Sequence, residues 1–447
     1  GTEPSTLVLG AASILVDGTQ ANIASAGGVL TLNIGAANAL GTLTRVNLAG
    51  GNTLLLGASQ TVASLSGSGN ISAAAASTLT VGNSLSNESY NSSFSGVLAN
   101  GATTLTLTKS GKGTLTLNGA ISNTHTGLTT VNTGTLVLAK TDGATALGGS
   151  LTIGAAAAST AGKATVRLEG DGQMVVIASA SDTNNLTINA GGVLDMNGHT
   201  LTVNTLVSFF GATISNSGTL VINRTGGTIG FTGVNTIGST LQITTAGSGN
   251  ATRTVSVTGV TDVITFAGPV TQSGSIVGTF NKTGNGTFVL SGDNTHSGVT
   301  TISGGIINIR HANALGTVAS GTVVAAGGTL QIQGGITTSA EALTVTGTGF
   351  AGSNGIGYQT GALVNISGFN NYAGLISLGT GGGTVSSDSG TLNLTHPGTI
   401  TSAQLLTLAG AGDGSLTSVL GAAVTGVTKN GTGTWTLKGV NTSTGAI

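Results

Sequence analysis

The side chains that could do chemistry are few. The chain has nine Asp, four Glu, five His and no Cys among 447 residues. Two carboxylates facing each other across a groove could hydrolyse a glycoside or hold calcium. Glu169 and Asp171, in RLEGDGQ, come nearest to that arrangement, because residues two apart in a strand point to the same side. Gly172 follows at once, so the segment reads as a solvated turn. Asp195 and His199, in LDMNGHT, bracket an Asn-Gly corner and read as turn chemistry as well. A zinc centre needs several converging ligands. His125 and His296 lie far apart in the chain, in the similar contexts NTHTG and NTHSG. They read as fillings of one repeated slot; the remaining three are His199, His311 and His396. Gly-x-Gly is frequent, yet a phosphate-binding loop needs a helix after its glycines, and none is expected here. The Gly-Asp-Gly runs at Gly170–Gly172 and Gly412–Gly414 lack the tandem repetition of calcium-binding nonapeptides. No Gly-x-Ser-x-Gly elbow opens a helix. No residue is therefore assigned a catalytic, cofactor-binding or metal-ligating role.

Aromatic and hydroxyl side chains suggest binding rather than catalysis. Tyr90, Tyr358, Tyr372 and Trp435 could stack on sugars. Trp435 shares its slot with Leu115 and Phe288, so it reads as core, while the tyrosines flank Asn- and Gly-rich turns and leave stacking open. Thr-x-Thr runs at Thr104–Thr108, Thr114–Thr116 and Thr344–Thr346 raise the question of an ice-ordering face. Threonine is also the β-branched residue that tolerates water, and it is not confined to one face, which favours the structural reading. Asn in repeated corners is expected to form hydrogen-bonded ladders along the stack.

Composition narrows the class. Glycine supplies 78 positions, charged residues are 6% and the net charge is -1. Nucleic-acid binding, which needs a basic face, is not expected, nor is a polybasic membrane anchor. With 38% apolar residues, a mean hydropathy of +0.37 and three prolines, the chain is no disordered polymer. Glycine has no three-residue period, which excludes collagen. No apolar run approaches the ~18 residues of a membrane helix, and one Trp, three Tyr and nine Phe are few for the girdles of a barrel. The opening GTEPST lacks the pattern of a signal peptide.

The elements that would position these side chains are short strands. GVLTLNI, GTLVLA, GTLVIN and LTVTG alternate apolar residues with Thr or Asn at period two, punctuated by Gly, Asn, Ser and Asp. Between 186 and 223 three apolar positions return together: Leu186 at Leu206, Leu194 at Ile214 and Leu201 at Leu220. A three-sided coil of about 20 residues gives that return, each coil stacking on the last by parallel pairing at ~4.8 Å. Roughly 22 such coils would make one continuous solenoid over residues 1–447, on the order of 100 Å long.

A longer repeat lies over the coils. Lys109, Lys282 and Lys429 open KSGKGTLTLNGAISNTHTG, KTGNGTFVLSGDNTHSG and KNGTGTWTLKGVNTSTG. Each copy runs Lys, a Gly-x-Gly corner, an alternating strand, Gly, then Asn-Thr-x-[Thr/Ser]-Gly. These copies resemble the autotransporter-associated β-strand repeat of bacterial surface and secreted proteins. Lys109–Leu136 carries the pattern almost throughout, Lys282–Ile306 well, and Lys429–Gly445 its first part. The family's usual aromatic is replaced by His125, His296 and Ser443. The resemblance implies an all-β, right-handed parallel β-helix, exported and displayed at the bacterial surface in association with the outer membrane. The chain is then expected to be a fragment of a longer protein. Its expected work is mechanical and non-enzymatic: a stalk, fibre or coat subunit, associating with itself end to end or side to side. Cell-surface or glycan contacts are possible partners. A carbohydrate-active enzyme would require two carboxylates within about 10 Å. An adhesin with grafted binding loops would interrupt the coils, best sought at Thr141–Gly172 and Gly347–Gly383.

Overall fold

The computed structural model describes residues 5–9, 20–24, 29–82, 89–155, 163–174, 185–203, 207–223, 226–244, 250–274, 276–351 and 361–446. They fall into two compact units, Gly1–Val221 and Ile222–Ile447. Among the described residues no helix occurs, and the strand pairs that stack the coils are parallel. The alternation seen in sequence is the cause. In Ser77–Val81 and Leu105–Lys109 alternate side chains are buried and half-buried, so each strand turns its aliphatic residues inward and its threonines out.

In the first unit one side stacks Ser77–Val81, Leu105–Lys109, Thr129–Val131, Leu151–Ile153, Leu186–Ile188 and Val207–Phe210. A second side stacks Ser92–Phe94, Thr114–Gly119, Gly134–Lys140, Ala164–Leu168, Gly192–Asp195 and Thr213–Ser215. The third begins as a parallel stack of Ser5–Leu9, Leu30–Ile34, Thr53–Leu56, Asn70–Ala73 and Val97–Ala99. Beyond Val97–Ala99 it is barely strand-like for two coils and is held by scattered backbone bonds, such as Thr124 N–H to Leu98 and Ala146 N–H to Gln173. In-register pairing lines the core with aliphatic columns such as Leu115, Leu136, Val166, Leu194 and Ile214, all essentially inaccessible. Full burial of each such side chain contributes about 1.5–3 kcal/mol.

The second unit repeats this plan. Ile229, Val255, Lys282, Ile302, Val324, Val345 and Leu378 form one inward column. On the second side Phe266 meets Phe231 and Phe288 edge-to-face, with centroids 5.9 and 4.8 Å apart. The inward face of the first side also carries Arg253, Phe280, Thr300, Thr322, Leu343 and Ile376.

Three-sided coiling is as expected, but the length of a coil is not constant. Leu194 does pair with Ile214. Leu186 pairs with Val207, not with Leu206, which lies outside the described residues. A short coil returns Thr53 to Asn70, and a coil about twice as long returns Leu151 to Leu186. Parallel register constrains only the strands; corners can lengthen without disturbing the columns. The long returns overlap the two zones singled out above, the first running on past Gly172 to Leu186 and the second starting at Leu330. In the second of them Leu330 pairs with Leu363 and Leu343 with Ile376. There, residues 348–351 lie against the outer surface of a strand. The Phe350 N–H donates to Thr329 Oγ1 at 2.9 Å, and Thr329 donates to the Gly361 carbonyl at 3.1 Å. Outward Val289, Asn308 and Gln331 beside them are buried as well.

Candidate functional site

The repeat is built around three polar side chains that face inward. Lys109 ends the inward-facing set of Leu105–Lys109, and Lys282 holds the same place in Gly278–Thr283. Neither has a carboxylate partner in any described ion pair. Instead the Lys109 ammonium donates to the carbonyls of Ser110, Gly111 and Thr133 at 2.6, 2.9 and 3.4 Å. Lys282 does the same with Thr283, Gly284 and Gly304 at 2.8, 2.9 and 3.1 Å. The Lys-x-Gly-x-Gly signature is thus a folding device. The lysine gathers carbonyls that two successive corners would otherwise leave unpaired inside the fold. Burial pushes its ammonium down, to about 8 at Lys109 and about 7 at Lys282, while the ring of carbonyls favours the charged form.

Glycine closes the nest from the next coil. Gly134 and Gly305 have φ of +71° and +65°, and a Cβ on either would stand 2.9 or 2.8 Å from the lysine nitrogen and 2.3 or 2.4 Å from a backbone carbonyl oxygen. Gly305→Ala is expected to destabilise the chain by about 2 kcal/mol through left-handed strain and collision, read as a lower urea midpoint at unchanged slope.

The asparagine of Asn-Thr-x-[Thr/Ser]-Gly fastens the third side. Asn123 Oδ1 accepts from the Leu98 N–H at 2.9 Å and its Nδ2 donates to the Ala146 carbonyl at 2.9 Å. Asn294 likewise accepts from Val270 at 2.8 Å and donates to Ala314 at 2.5 Å. Asn441 accepts from Leu420 at 2.8 Å. One amide therefore joins the coil before and the coil after, where strand pairing is sparse.

The histidines occupy a common slot, as their contexts suggested. His125 and His296 are buried, with Nε2 3.3 Å from Thr129 Oγ1 and 3.2 Å from Thr300 Oγ1. In the third copy Ser443 donates to the Val424 carbonyl at 2.7 Å instead. Two further buried groups gave no signal in the sequence. Arg253 donates to the carbonyls of Thr252, Ile222 and Thr244. Glu341, pushed up to about 7 by burial, accepts from Thr322 Oγ1 at 2.7 Å. Only their placement inside the coils distinguishes these residues from surface charges.

Within the second unit the third copy is turned by one side relative to the second. Lys282 lies on the side of Thr300–Ile302, whereas Lys429 lies in Gly426–Lys429, which pairs with Leu405–Ala409 on the neighbouring side. The chain between the two lysines does not make whole coils, so the repeat follows its own corner chemistry and no fixed side. Lys429 keeps two carbonyl bonds, to Asn430 and Gly431, both 2.9 Å, but is exposed. Trp435, expected in the core, is half-buried, its indole N–H on the Ala409 carbonyl at 3.1 Å. Its slot is right, but no further described coil covers it.

On the surface the two acidic candidates are brought together. Arg167 Nε lies 2.9 Å from Glu169 and 3.9 Å from Asp195, so the acids are not all isolated. Asp195 does not meet His199; His199 Nδ1 is 3.4 Å from Asp171. The carboxylates serve the corners. Asp171 accepts from the Thr200 N–H at 2.7 Å, Asp195 from the Asn197 N–H and Asn216 Nδ2, and Glu169 from Asn197 Nδ2. Asp413 of the other Gly-Asp-Gly run accepts from the Thr434 N–H at 2.9 Å. Among the described residues no group of three His, Asp or Glu could hold a metal. Because Arg167 and Glu169 are well exposed, Glu169→Gln is expected to change stability by less than about 1 kcal/mol, checked by thermal unfolding.

Tyr372 is no sugar platform. It is fully buried, and its hydroxyl donates to the Glu341 carbonyl at 3.0 Å. Tyr90 is half-buried under the Arg45 guanidinium, 5.7 Å from its centroid; Tyr358 lies outside the described residues. Asparagine ladders do form, on an outward strand face as well as at corners. Asn371 donates to Thr337, Asn393 to Asn371, and Ser415 to Asn393, at 2.9, 3.0 and 2.7 Å. Threonine also files outward in register through Thr61, Thr80, Thr108, Thr130, Thr152 and Thr187. The strands Thr129–Val131, Leu151–Ile153 and Leu186–Ile188 show one outward residue each, so this is a single file and not the broad array an ice face needs.

Comparison with known proteins agrees with this construction. Residues 107–138, 280–309 and 427–447 match the family described as passenger-associated-transport-repeat. The chain is also 31% identical, over 290 residues, to the Adhesin BmaC autotransporter of Brucella suis biovar 1 (strain 1330). That match covers 53% of this chain and 8% of the relative, so the chain spans under a tenth of that protein's length. No solved structure matches the chain. The segments that open at Lys109, Lys282 and Lys429, with their lysine nests and asparagine fastenings, are the ones that match the passenger-associated-transport-repeat.

Proposed function

We propose that the chain is a structural, non-enzymatic stretch of an exported passenger, working at the bacterial surface as the shaft of an adhesin. The observation that carries this reading is the use of the polar side chains. In the repeats, Lys109, Lys282, Asn123 and Asn294 are spent on carbonyls and N–H groups of their own and neighbouring coils. Such a design extends by stacking and leaves few groups for chemistry. The likeness to an autotransporter adhesin supports the location. Arg167 standing between Glu169 and Asp195 argues for corner support over glycoside hydrolysis. The test is protease shaving and surface biotinylation of intact cells producing the full-length protein. Recovery of the labelled chain is expected; its confinement to the cytosol would overturn the reading.

A second reading, a shaft with its own ligand sites, is favoured by the long returns between Leu151 and Leu186 and between Leu330 and Leu363. Binding on a glycan array that is lost when these returns are shortened separates it from a passive shaft. Self-association along the axis or between sides is part of the first reading. Sedimentation over a hundredfold concentration range is expected to show assemblies, and a strict monomer throughout would remove that part.

A further inference from the structure

We propose that His125 and His296 make their repeats acid-released fastenings of the third side, and that in the second unit the buried carboxyl of Glu341 opposes that release. The inference rests on side-chain placement and is independent of the proposed function.

Each imidazole is enclosed, His125 at 0% and His296 at 2% exposure. Each ring bonds one threonine hydroxyl through Nε2, and each Nδ1 is buried with no aligned partner. A neutral ring tolerates this, with Nδ1 as an unused acceptor. An imidazolium carries two N–H donors; at His296 the second finds no aligned acceptor, and at His125 it finds only the Leu98 carbonyl, which already accepts from the Thr124 and His125 N–H groups. His296 also lies edge-to-face on Phe280, centroids 4.8 Å apart, beside a cavity no larger than a single water. One water at most fits there, far short of the hydration an imidazolium has in solvent, so the charged ring is drawn outward.

Leaving disturbs more than one side chain. His125 follows Asn123 by two residues, in the segment whose amide joins Leu98 to Ala146. Its own backbone N–H also bonds the Leu98 carbonyl. His296 likewise follows Asn294, whose amide joins Val270 to Ala314, and here the backbone bond to the Val270 carbonyl comes from the Thr295 N–H. Drawing the ring into water pulls the segment away and undoes the fastening between three coils.

The units differ in what lies next along the core. In the first, Thr129 is stacked on Leu107 and Leu151. In the second, Thr300 is in register with Thr322, whose hydroxyl donates to buried Glu341. The other charged groups on elements packed around His125 are Lys109, Lys140, whose ammonium reaches the Gly96 carbonyl at 2.9 Å, and exposed Asp142. Around His296 they are Lys282, Arg253 beyond Phe280, exposed Asp293 and Arg310, and half-buried His311. The inward-facing ones are cationic, which further disfavours an imidazolium.

Burial lowers both histidines from 6.5 to about 4, the Leu98 carbonyl offsetting part of the effect at His125. The opened segment thus binds the proton first: stability is full above pH 6.5 and is lost as pH falls towards 4. Burial raises Glu341 from 4.5 to about 7. Its contribution is full below 4.5 and is lost as pH rises through 7. The two effects oppose one another between these limits.

The test is hydrogen exchange on the whole chain at pH 7 and 4.5, corrected for the intrinsic rate, with peptides covering 122–127 and 293–298. The opening equilibrium at 122–127 is expected to rise roughly 50-fold on acidification, and that at 293–298 to change less than about threefold. His125→Phe should abolish the first response, and Glu341→Gln should reveal a roughly 50-fold response at 293–298. Unchanged protection at 122–127, an undiminished response in His125→Phe, or a flat 293–298 segment in Glu341→Gln would each overturn the proposal. NMR of the imidazole carbons serves if a variant fails to fold. Titration of His125 in the native chain near its ordinary value would overturn it equally.

Discussion

Lys282→Met is expected to destabilise the chain by about 3–5 kcal/mol, the range for stranding buried polar groups. Methionine keeps the apolar stem and drops only the terminal nitrogen, so packing in the column between Val255 and Ile302 changes little. What disappears is the donor shared by the carbonyls of Thr283, Gly284 and Gly304. Water cannot replace it without opening the corner. Lys109→Met should behave in the same way at Ser110, Gly111 and Thr133. Lys429→Met is the internal control: the same motif with an exposed ammonium, expected to cost under about 1 kcal/mol. Urea unfolding monitored by circular dichroism reads all three, with cooperativity checked by a second probe because stacked repeats can unfold in parts. Equal effects at Lys282 and Lys429 would refute the nest as a source of stability. Alkali provides a second readout. The folded chain releases the Lys282 proton near 7 and the unfolded chain near 10.5, so the unfolded state holds more protons in between and stability rises with pH across that window. Lys282→Met should flatten that rise.

Asn123→Ala is expected to cost about 2–4 kcal/mol, since it leaves the Leu98 N–H and the Ala146 carbonyl without partners inside the fold. Past Val97–Ala99 the third side has only scattered backbone bonds besides this amide, so the loss should be local as well as global. Hydrogen exchange at 97–99 and 144–147 should accelerate well before the strands Leu105–Lys109 and Thr129–Val131 respond. Asn123→Asp separates the two bonds. The carboxylate retains the acceptor for Leu98 but loses the donor to Ala146 and buries a charge beside a carbonyl, so it should be worse than alanine. An aspartate variant as stable as the native chain would mean that water, and not the amide, bridges the coils.

These two residues show how far a sequence can be read. Period-two alternation of Leu, Ile and Val with Thr determined strands, and the recurring Lys-x-Gly-x-Gly and Asn-Thr patterns determined that corners repeat. Both are local signals, set by which side of a pleat a residue faces and which residues tolerate a turn. The same reading placed His125 and His296 in one slot. It did not show that Lys109, Lys282 and Arg253 point inward. A cation is expected in water unless something inside accepts its protons, and here the acceptors are backbone carbonyls of corners, which have no sequence identity of their own. Nor could it show Glu341 beside Thr322, or Glu169 and Asp195 on one guanidinium. Those meetings depend on how much chain each coil takes to return, and the coil from Leu151 to Leu186 takes about twice as much as the coil from Thr53 to Asn70. Strand pattern fixes which side chains enter the core; the lengths of the corners, settled only when the coils stack, decide which of them meet.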